Sequence, residues 1–264
     1  MSIGPYIIKV SSQKGGVGKS TISVNLASIL QDLGNDVLII DFDIANPSVG
    51  FHLGIENQNM GVSDVIQKGI KLEHAIMPHN PTGLHVLPGN ILANIKELNN
   101  AQIQKFMSDI KKLKYDFIIF DTAPGYLVPD FTSACDEAII ITTPEISSCT
   151  SSMRLIANYR KHNLKSQILI NRVKNRNYEI HTREIEEMFK MKAISVINED
   201  EIVPESIAMH MPAVIYKPKS NFSKSMADLG RFFSLDHKMD YQYNKKNGVR
   251  QGIWEIIKQL FRFN

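Results

Sequence analysis

Three glycines, two lysines, a serine and a threonine fill seven of the eight positions from Lys14 to Thr21, Lys-Gly-Gly-Val-Gly-Lys-Ser-Thr. Gly15, Gly16 and Gly18 let a chain bend tightly and turn successive N–H groups, including that of Val17, toward one point. Such a cradle suits phosphate oxygens, and a helix starting there adds its partial positive charge. Lys19 can then neutralise β- and γ-phosphates. The Ser20 hydroxyl can ligate Mg²⁺, and Thr21 can donate to an α-phosphate. The run fits the pattern G-x-x-x-x-G-K-[ST] with one glycine absent. It also places a second lysine, Lys14, near the start of the loop.

Those groups converge only if a strand delivers the loop and a helix receives it. Tyr6–Val10 reads as the strand, and Ile22, Leu26, Ile29 and Leu30 recur at helical spacing after it. Further strand-like runs are Val37–Ile40, Leu84–Pro88, Phe117–Phe120, Ala138–Thr142, Gln167–Ile170, Ala193–Ile197 and Val214–Tyr216. Helical patterns lie at 22–33, 101–113, 150–161, 182–190 and 221–233. Short, wholly apolar strands are those of a parallel sheet covered on both faces. The predicted fold is therefore α/β and doubly wound, a mostly parallel sheet with helices on both faces and ligands at the strands' carboxyl ends.

Two of these strands end in acids. Val37–Ile40 runs into Asp41-Phe42-Asp43, whose alternation puts both carboxylates on one side of an extended chain. Phe117–Phe120 runs into Asp121-Thr122-Ala123-Pro124-Gly125. An acid at the end of an apolar strand in a phosphate-loop protein has the form of a carboxylate that holds Mg²⁺ through water.

The 264 residues suit one α/β domain with a tail. A net charge of +3 is too small to argue for nucleic acid, and basic residues such as Lys217, Lys219, Lys224 and Arg231 read as solvated surface. Cys135 and Cys149 have neither CxxC nor metal-ligand spacing. The first residues lack the basic segment and cleavage site of a signal peptide, and no apolar run is long enough to span a bilayer. No internal repeat is visible.

Lys-Gly-Gly-Val-Gly-Lys-Ser-Thr resembles the deviant Walker A motif of the MinD/ParA family of P-loop ATPases. The resemblance extends over roughly residues 5–235. It implies ATP and Mg²⁺ as cofactors and slow hydrolysis of ATP to ADP and phosphate without an activating partner. It also implies a homodimer with ATP sandwiched, in which Lys14 reaches the partner's phosphates. Asp41–Asp43 is similar to the family's switch I Asp-x-Asp, which makes Asp43 the residue that positions the attacking water. Asp41 then either joins the metal's surroundings with Ser20 and Asp121 or orders the loop. Asp121–Gly125 is similar to switch II. Asn171-Arg172, at the end of Gln167–Ile170, matches an adenine-recognising pair, and Asn198-Glu199-Asp200 lies where relatives carry Pro-Glu-Asp. Glu145 resembles a dimer-interface residue. Asn46-Pro47-Ser48 departs from the residues common in bacterial MinD.

The chain's end narrows the choice within that family. Residues 1–235 read as the ATPase domain, and the polar, aperiodic stretch 236–248 reads as a linker. On a helical wheel of 249–264, Ile253, Trp254, Ile256, Ile257, Leu260, Phe261 and Phe263 share one half and Gln251, Glu255, Lys258, Gln259 and Arg262 the other. From 245 onward Lys245, Lys246, Arg250, Lys258 and Arg262 face only Glu255. Aromatic and aliphatic residues opposite basic ones make an interfacial helix for an anionic membrane surface. MinD proteins end in such a helix, and ParA proteins generally do not. The expectation is a cytoplasmic spatial regulator held peripherally at the inner face of the membrane, with an unidentified activator or cargo protein. Nucleoid DNA binding of the ParA kind is the alternative.

Overall fold

A computed structural model describes residues 4–55, 60–90, 98–125 and 131–247. Its strands are β1 (Tyr6–Ser11), β2 (Val37–Phe42), β3 (Met77–His79), β4 (Leu84–Leu87), β5 (Phe117–Thr122), β6 (Glu137–Thr142), β7 (Lys165–Val173) and β8 (Ala193–Asn198). They form one sheet in the order β3-β4-β2-β5-β1-β6-β7-β8, parallel throughout except where β3 pairs antiparallel with β4. Every residue of β1, β2, β5 and β6 is buried. The doubly wound α/β expectation is therefore borne out, and the continuous apolar runs are explained by helices on both faces.

The helices are α1 (Lys19–Asp32), α2 (Val49–Leu53), α3 (Val62–Lys68), α4 (Leu72–Ala75), α5 (Asn100–Ile110), α6 (Ile146–Lys161), α7 (Thr182–Phe189), α8 (Ile202–Ala208), α9 (Ala213–Tyr216) and α10 (Asn221–Asn247). On one face α1 and α10 pack together over Ile8, Val10 and Ile39 through Ile22, Leu26, Met226 and Phe233. On the other, α3 and α5 cover Leu38, Ile40, Ile118 and Phe120. Each such side chain, fully buried, contributes roughly 1.5–3 kcal/mol. Where α10 approaches α1, a Cβ on Gly230 would stand 2.1 Å from Ile29 Cγ2, so glycine sets the closeness of the pair.

One reading of the sequence needs correction, one strand was not foreseen, and the stretch read as a linker has a helical backbone. Val214–Tyr216 is not a strand but the turn of helix α9, which begins after Pro212. Asn25 on α1 accepts the Val214 N–H, so tertiary contact overrides the strand preference of Val214 and Ile215. Met77–His79, which contains a proline, adds a short antiparallel edge strand, the place in a sheet that tolerates one. The stretch taken as a linker is helical as far as Asn247. It is polar, but it holds no glycine or proline between 231 and 247, and the first breaker is Gly248. The tail residues Ile253, Trp254, Ile256, Ile257, Leu260, Phe261 and Phe263 lie outside the described residues. Among the described residues, no helix is long and apolar enough to cross a membrane.

Candidate functional site

The carboxyl ends of β1, β2, β5 and β7 bring the phosphate-loop residues, the strand-end acids and Asn171 into one cleft. The loop leaves β1 and turns through Gly16 and Gly18, at φ 75° and 98°, a left-handed conformation that favours glycine. Gly18 is also required by space. A Cβ there would meet Asn171 Nδ2 at 2.4 Å. Asn171, buried at the end of β7, donates from Nδ2 to the Val17 carbonyl at 2.8 Å and so braces the loop from the side. Ser12 Oγ donates to the Lys14 carbonyl at 2.7 Å, and Gly125 N to the Ser12 carbonyl at 2.8 Å. Gly15 and Gly16 are exposed and Val17 is buried beneath them.

Lys19 and Thr21 lie in the first turn of α1, each 8% exposed. Burial lowers the Lys19 pKa, opposed by the charges of Asp121 and then Asp43. A cation held between two acids and a ring of N–H groups is a site prepared for negative charge.

Asp41 and Asp121 are direct partners in the register of β2 and β5, and both are wholly buried. Asp41 has its oxygens engaged: Oδ2 accepts from Ser48 N at 2.8 Å and Val49 N at 2.9 Å, and Oδ1 from Asp43 N at 3.3 Å. It therefore orders the segment that leads into α2. Burial and then the Asp121 charge raise its pKa, and those three N–H groups pull it down. Asp121 accepts Ser23 Oγ at 3.0 Å on Oδ1, whereas Oδ2 has no hydrogen-bond partner among the described residues. Burial pushes its pKa up to about 6, opposed by the Ser20 hydroxyl, Lys19 and Ser23. Asp43 is half-buried at the mouth of the cleft, where Asn46 N donates to its Oδ1 at 3.1 Å. Burial raises its pKa, and the Asn46 N–H and Lys19 oppose the rise.

Lys14 and Glu145, for which the family resemblance implies a place at a subunit interface, meet within one chain. Lys14 Nζ lies 2.6 Å from Glu145 Oε2 and 3.3 Å from Ser147 Oγ. Glu145 sits at the N-cap position of α6, and both side chains are about half exposed. Thus Lys14 points out of its own phosphate cradle.

Beside the loop a cleft of about 290 Å³ is lined by Gly18, Thr21, Asn171, Arg172, Asp200, Pro204 and Phe222, among others. Arg172 is exposed, at φ 59°. Asp200 ties the cleft's two helices together, accepting from Ile202 N at 3.1 Å and Phe222 N at 3.3 Å. Pro204 of α8 and Phe222 of α10 also line the cleft. Neither was singled out from the sequence, because only tertiary packing brings them to the cleft. Ser48 was also missed as a site residue. Its Oγ donates to Ser20 Oγ at 2.6 Å, joining the segment after Asp43 to the phosphate loop. The visible signal was the unusual Asn46-Pro47-Ser48.

A left-handed glycine loop between a buried central strand and a helix, with a strand-end acid beside it, defines a P-loop nucleotide-binding protein. A family model described as an AAA domain matches residues 6–171. The septum site-determining protein MinD of Escherichia coli is 29% identical over 273 residues, covering 97% of this chain and 98% of that protein. MinD of Pyrococcus horikoshii, solved with Mg-ADP, superposes with a TM-score of 0.75 at 29% identity, over 86% of this chain and 94% of that one. MinD in the MinC:MinD complex of Aquifex aeolicus gives 0.76 at 25% identity, over 87% and 95%. The chain belongs to this AAA-domain family and, within it, to the MinD/ParA-type deviant Walker A ATPases.

Proposed function

We propose that the protein is a Mg²⁺-dependent ATPase that dimerises on ATP and cycles on and off a membrane as a spatial regulator. The observation that carries the reading is the fit of the cleft to a metal-bound triphosphate. Lys19 feels the charges of both Asp121 and Asp43, Ser20 lies in the first turn of α1, and the buried Asp121 Oδ2 has no hydrogen-bond partner among the described residues. Mg²⁺ keeps several waters and takes few protein ligands, all oxygen. One hydroxyl and one water-holding carboxylate are such a set, whereas Asp41 serves the backbone instead. The metal, when bound, spreads the charge of the phosphate oxygens.

The chain's own groups do the rest. N–H groups of Gly15 to Thr21 cradle the phosphates, and Lys19 neutralises the β- and γ-oxygens. Asp43, at the cleft mouth with a raised pKa, orients the attacking water and accepts its proton. Asn171 supports adenine as the base. With Nδ2 held by Val17, its Oδ1 is left to accept from the adenine amino group, where guanine offers a carbonyl.

Dimerisation is supported by Lys14, which lies on the open face of the loop in a half-exposed ion pair. An exposed pair of that kind is weak, about 1 kcal/mol or less, so phosphates of a second subunit compete for the lysine readily. Two subunits would carry two copies of 249–264, and two weak anchors in tandem give avidity. Division-site placement is the first task to test, given the septum site-determining relative. The relative solved as a MinC:MinD complex supports a protein partner. DNA binding is less well supported. Of the four basic residues that could serve it, Lys217 is paired with Glu205 and Arg231 with Asp228.

Size-exclusion chromatography of Asp43→Ala with ATP tests the sandwich, because that variant binds ATP and hydrolyses it slowly. A dimer peak that disappears on adding Lys14→Ala is expected, and a monomer with Asp43→Ala alone contradicts the reading. Equal co-sedimentation with anionic liposomes in ATP, ADP and no nucleotide sinks the membrane cycle.

A further inference from the structure

The contact between Ser48 and Ser20 joins the phosphate loop to the segment after Asp43, a link the sequence did not foresee. Ser20 is the hydroxyl expected to ligate Mg²⁺, and Ser48 Oγ approaches it to 2.6 Å. Asp121, whose charge the Ser20 hydroxyl stabilises, has its buried Oδ2 without a hydrogen-bond partner among the described residues. Two hydroxyls and a carboxylate oxygen converging beside a phosphate cradle are all hard donors, the type Mg²⁺ prefers.

We propose that Ser48 is itself a ligand of the Mg²⁺, entering next to Ser20, so that the segment after Asp43 binds the metal directly. The inference rests on the metal-dependent ATPase reading above. With bond lengths of about 2.0–2.1 Å, adjacent oxygens around octahedral Mg²⁺ stand roughly 2.9 Å apart. The two hydroxyls therefore need to separate only slightly to share one ion. Their present hydrogen bond occupies one of the two lone pairs of Ser20 Oγ and leaves the other for a metal. When Ser48 Oγ also turns a lone pair to the ion, ligation by both oxygens compensates for the loss of that bond.

The position of Ser48 is set by the scaffold. Asp41 Oδ2 accepts both Ser48 N and Val49 N, fixing the backbone on either side of the Ser48 carbonyl. Pro47 limits φ one residue earlier. It rests on Gly89, where a Cβ would stand 2.2 Å from Pro47 Cβ and 3.3 Å from Asp41 Cγ. Asp41 thus acts on the metal through Ser48, as an outer partner that orients a ligand. This gives the departure Asn46-Pro47-Ser48 a chemical role, with a proline to aim the loop and a hydroxyl to reach the ion.

The test is binding of a fluorescent ATP analogue, N-methylanthraniloyl-ATP, to the full-length protein while Mg²⁺ is titrated. Ser48→Ala should raise the Mg²⁺ concentration for half-maximal binding about tenfold and leave binding in EDTA unchanged. Ser48→Thr, which keeps the hydroxyl, should retain the wild-type requirement. Ser48→Cys should lose in Mg²⁺ and recover in the softer Cd²⁺. An unchanged Mg²⁺ requirement in Ser48→Ala overturns the proposal. So does an equal loss with and without metal, which would make Ser48 only a brace for the loop. A wild type whose binding ignores Mg²⁺ fails earlier, at the ATPase reading, so the two failures are distinct.

Discussion

The ends of β2 and β5 lie side by side in register, and each carries a wholly buried aspartate after an apolar run. Their surroundings differ. Asp41 receives three backbone N–H groups, from Asp43, Ser48 and Val49, and holds the following segment in place. Asp121 is met by hydroxyls, Ser23 on Oδ1 with Ser20 close by, and its Oδ2 has no hydrogen-bond partner among the described residues. The same residue type, at the same depth on adjacent strands, is scaffold in one case and, in the proposed reading, a metal's carboxylate in the other. Hydrogen-bond satisfaction separates the two roles, because a buried acceptor left unpaired is costly unless something else is meant to fill it.

The largest effect that can break this contrast is on the stability of the ligand-free protein. Asp41→Ala leaves three backbone donors orphaned, and urea unfolding should register a loss on the order of 3–5 kcal/mol. Asp121→Asn keeps an acceptor for Ser23 and removes a buried charge held at a raised pKa. At pH 8 it should be no less stable than the wild type, while Mg²⁺-dependent nucleotide binding is lost. If both variants unfold alike, the division of roles is wrong.

A second, smaller effect probes the helix that Asp41 anchors. His52 on α2 is buried, and burial takes its pKa down to about 4 from 6.5. A depressed folded pKa means that the unfolded chain takes up the proton first, so stability falls as pH drops from about 6.5 to 4. The wild type should lose about 3 kcal/mol relative to His52→Leu over that window. Comparing the two proteins cancels the opposite trend from Asp121. A flat difference between them would mean that α2 opens to solvent.

The smallest effect sharpens the contrast at the loop itself. Gly89→Ala drives a methyl into Pro47 and against Asp41, for about 1–3 kcal/mol of overpacking. Because Pro47 and Ser48 move with that contact, analogue binding should require more Mg²⁺. A variant that loses stability but keeps the wild-type Mg²⁺ requirement would detach Gly89 from the site.

Much of this was legible because it is local. The glycines, lysine and hydroxyls from 15 to 21 need only a strand before and a helix after, and periodicity supplies both. Four residues of unbroken apolar sequence before Asp41 and before Asp121 likewise announced parallel strands with acids at their ends. Other features take their conformation from breaker residues or distant contacts that polarity and composition do not reveal. The stretch 236–248 is polar enough for a linker, yet without glycine or proline before Gly248 the helix continues to Asn247. Val214-Ile215 favours a strand by composition, but the helical turn after Pro212 is fixed by Asn25, far away in sequence.

The sequence by itself determined the phosphate cradle, the two acids and the parallel sheet, since each follows from neighbouring residues and their spacing. Only the tertiary structure decided that Asp41 is held by Ser48 N and Val49 N, that Lys14 meets Glu145, and that Ser48 reaches Ser20. The last two are contacts between residues 131 and 28 positions apart. Their geometry is set by how strands pack into register and which donors the burial leaves unpaired, and no local pattern encodes either.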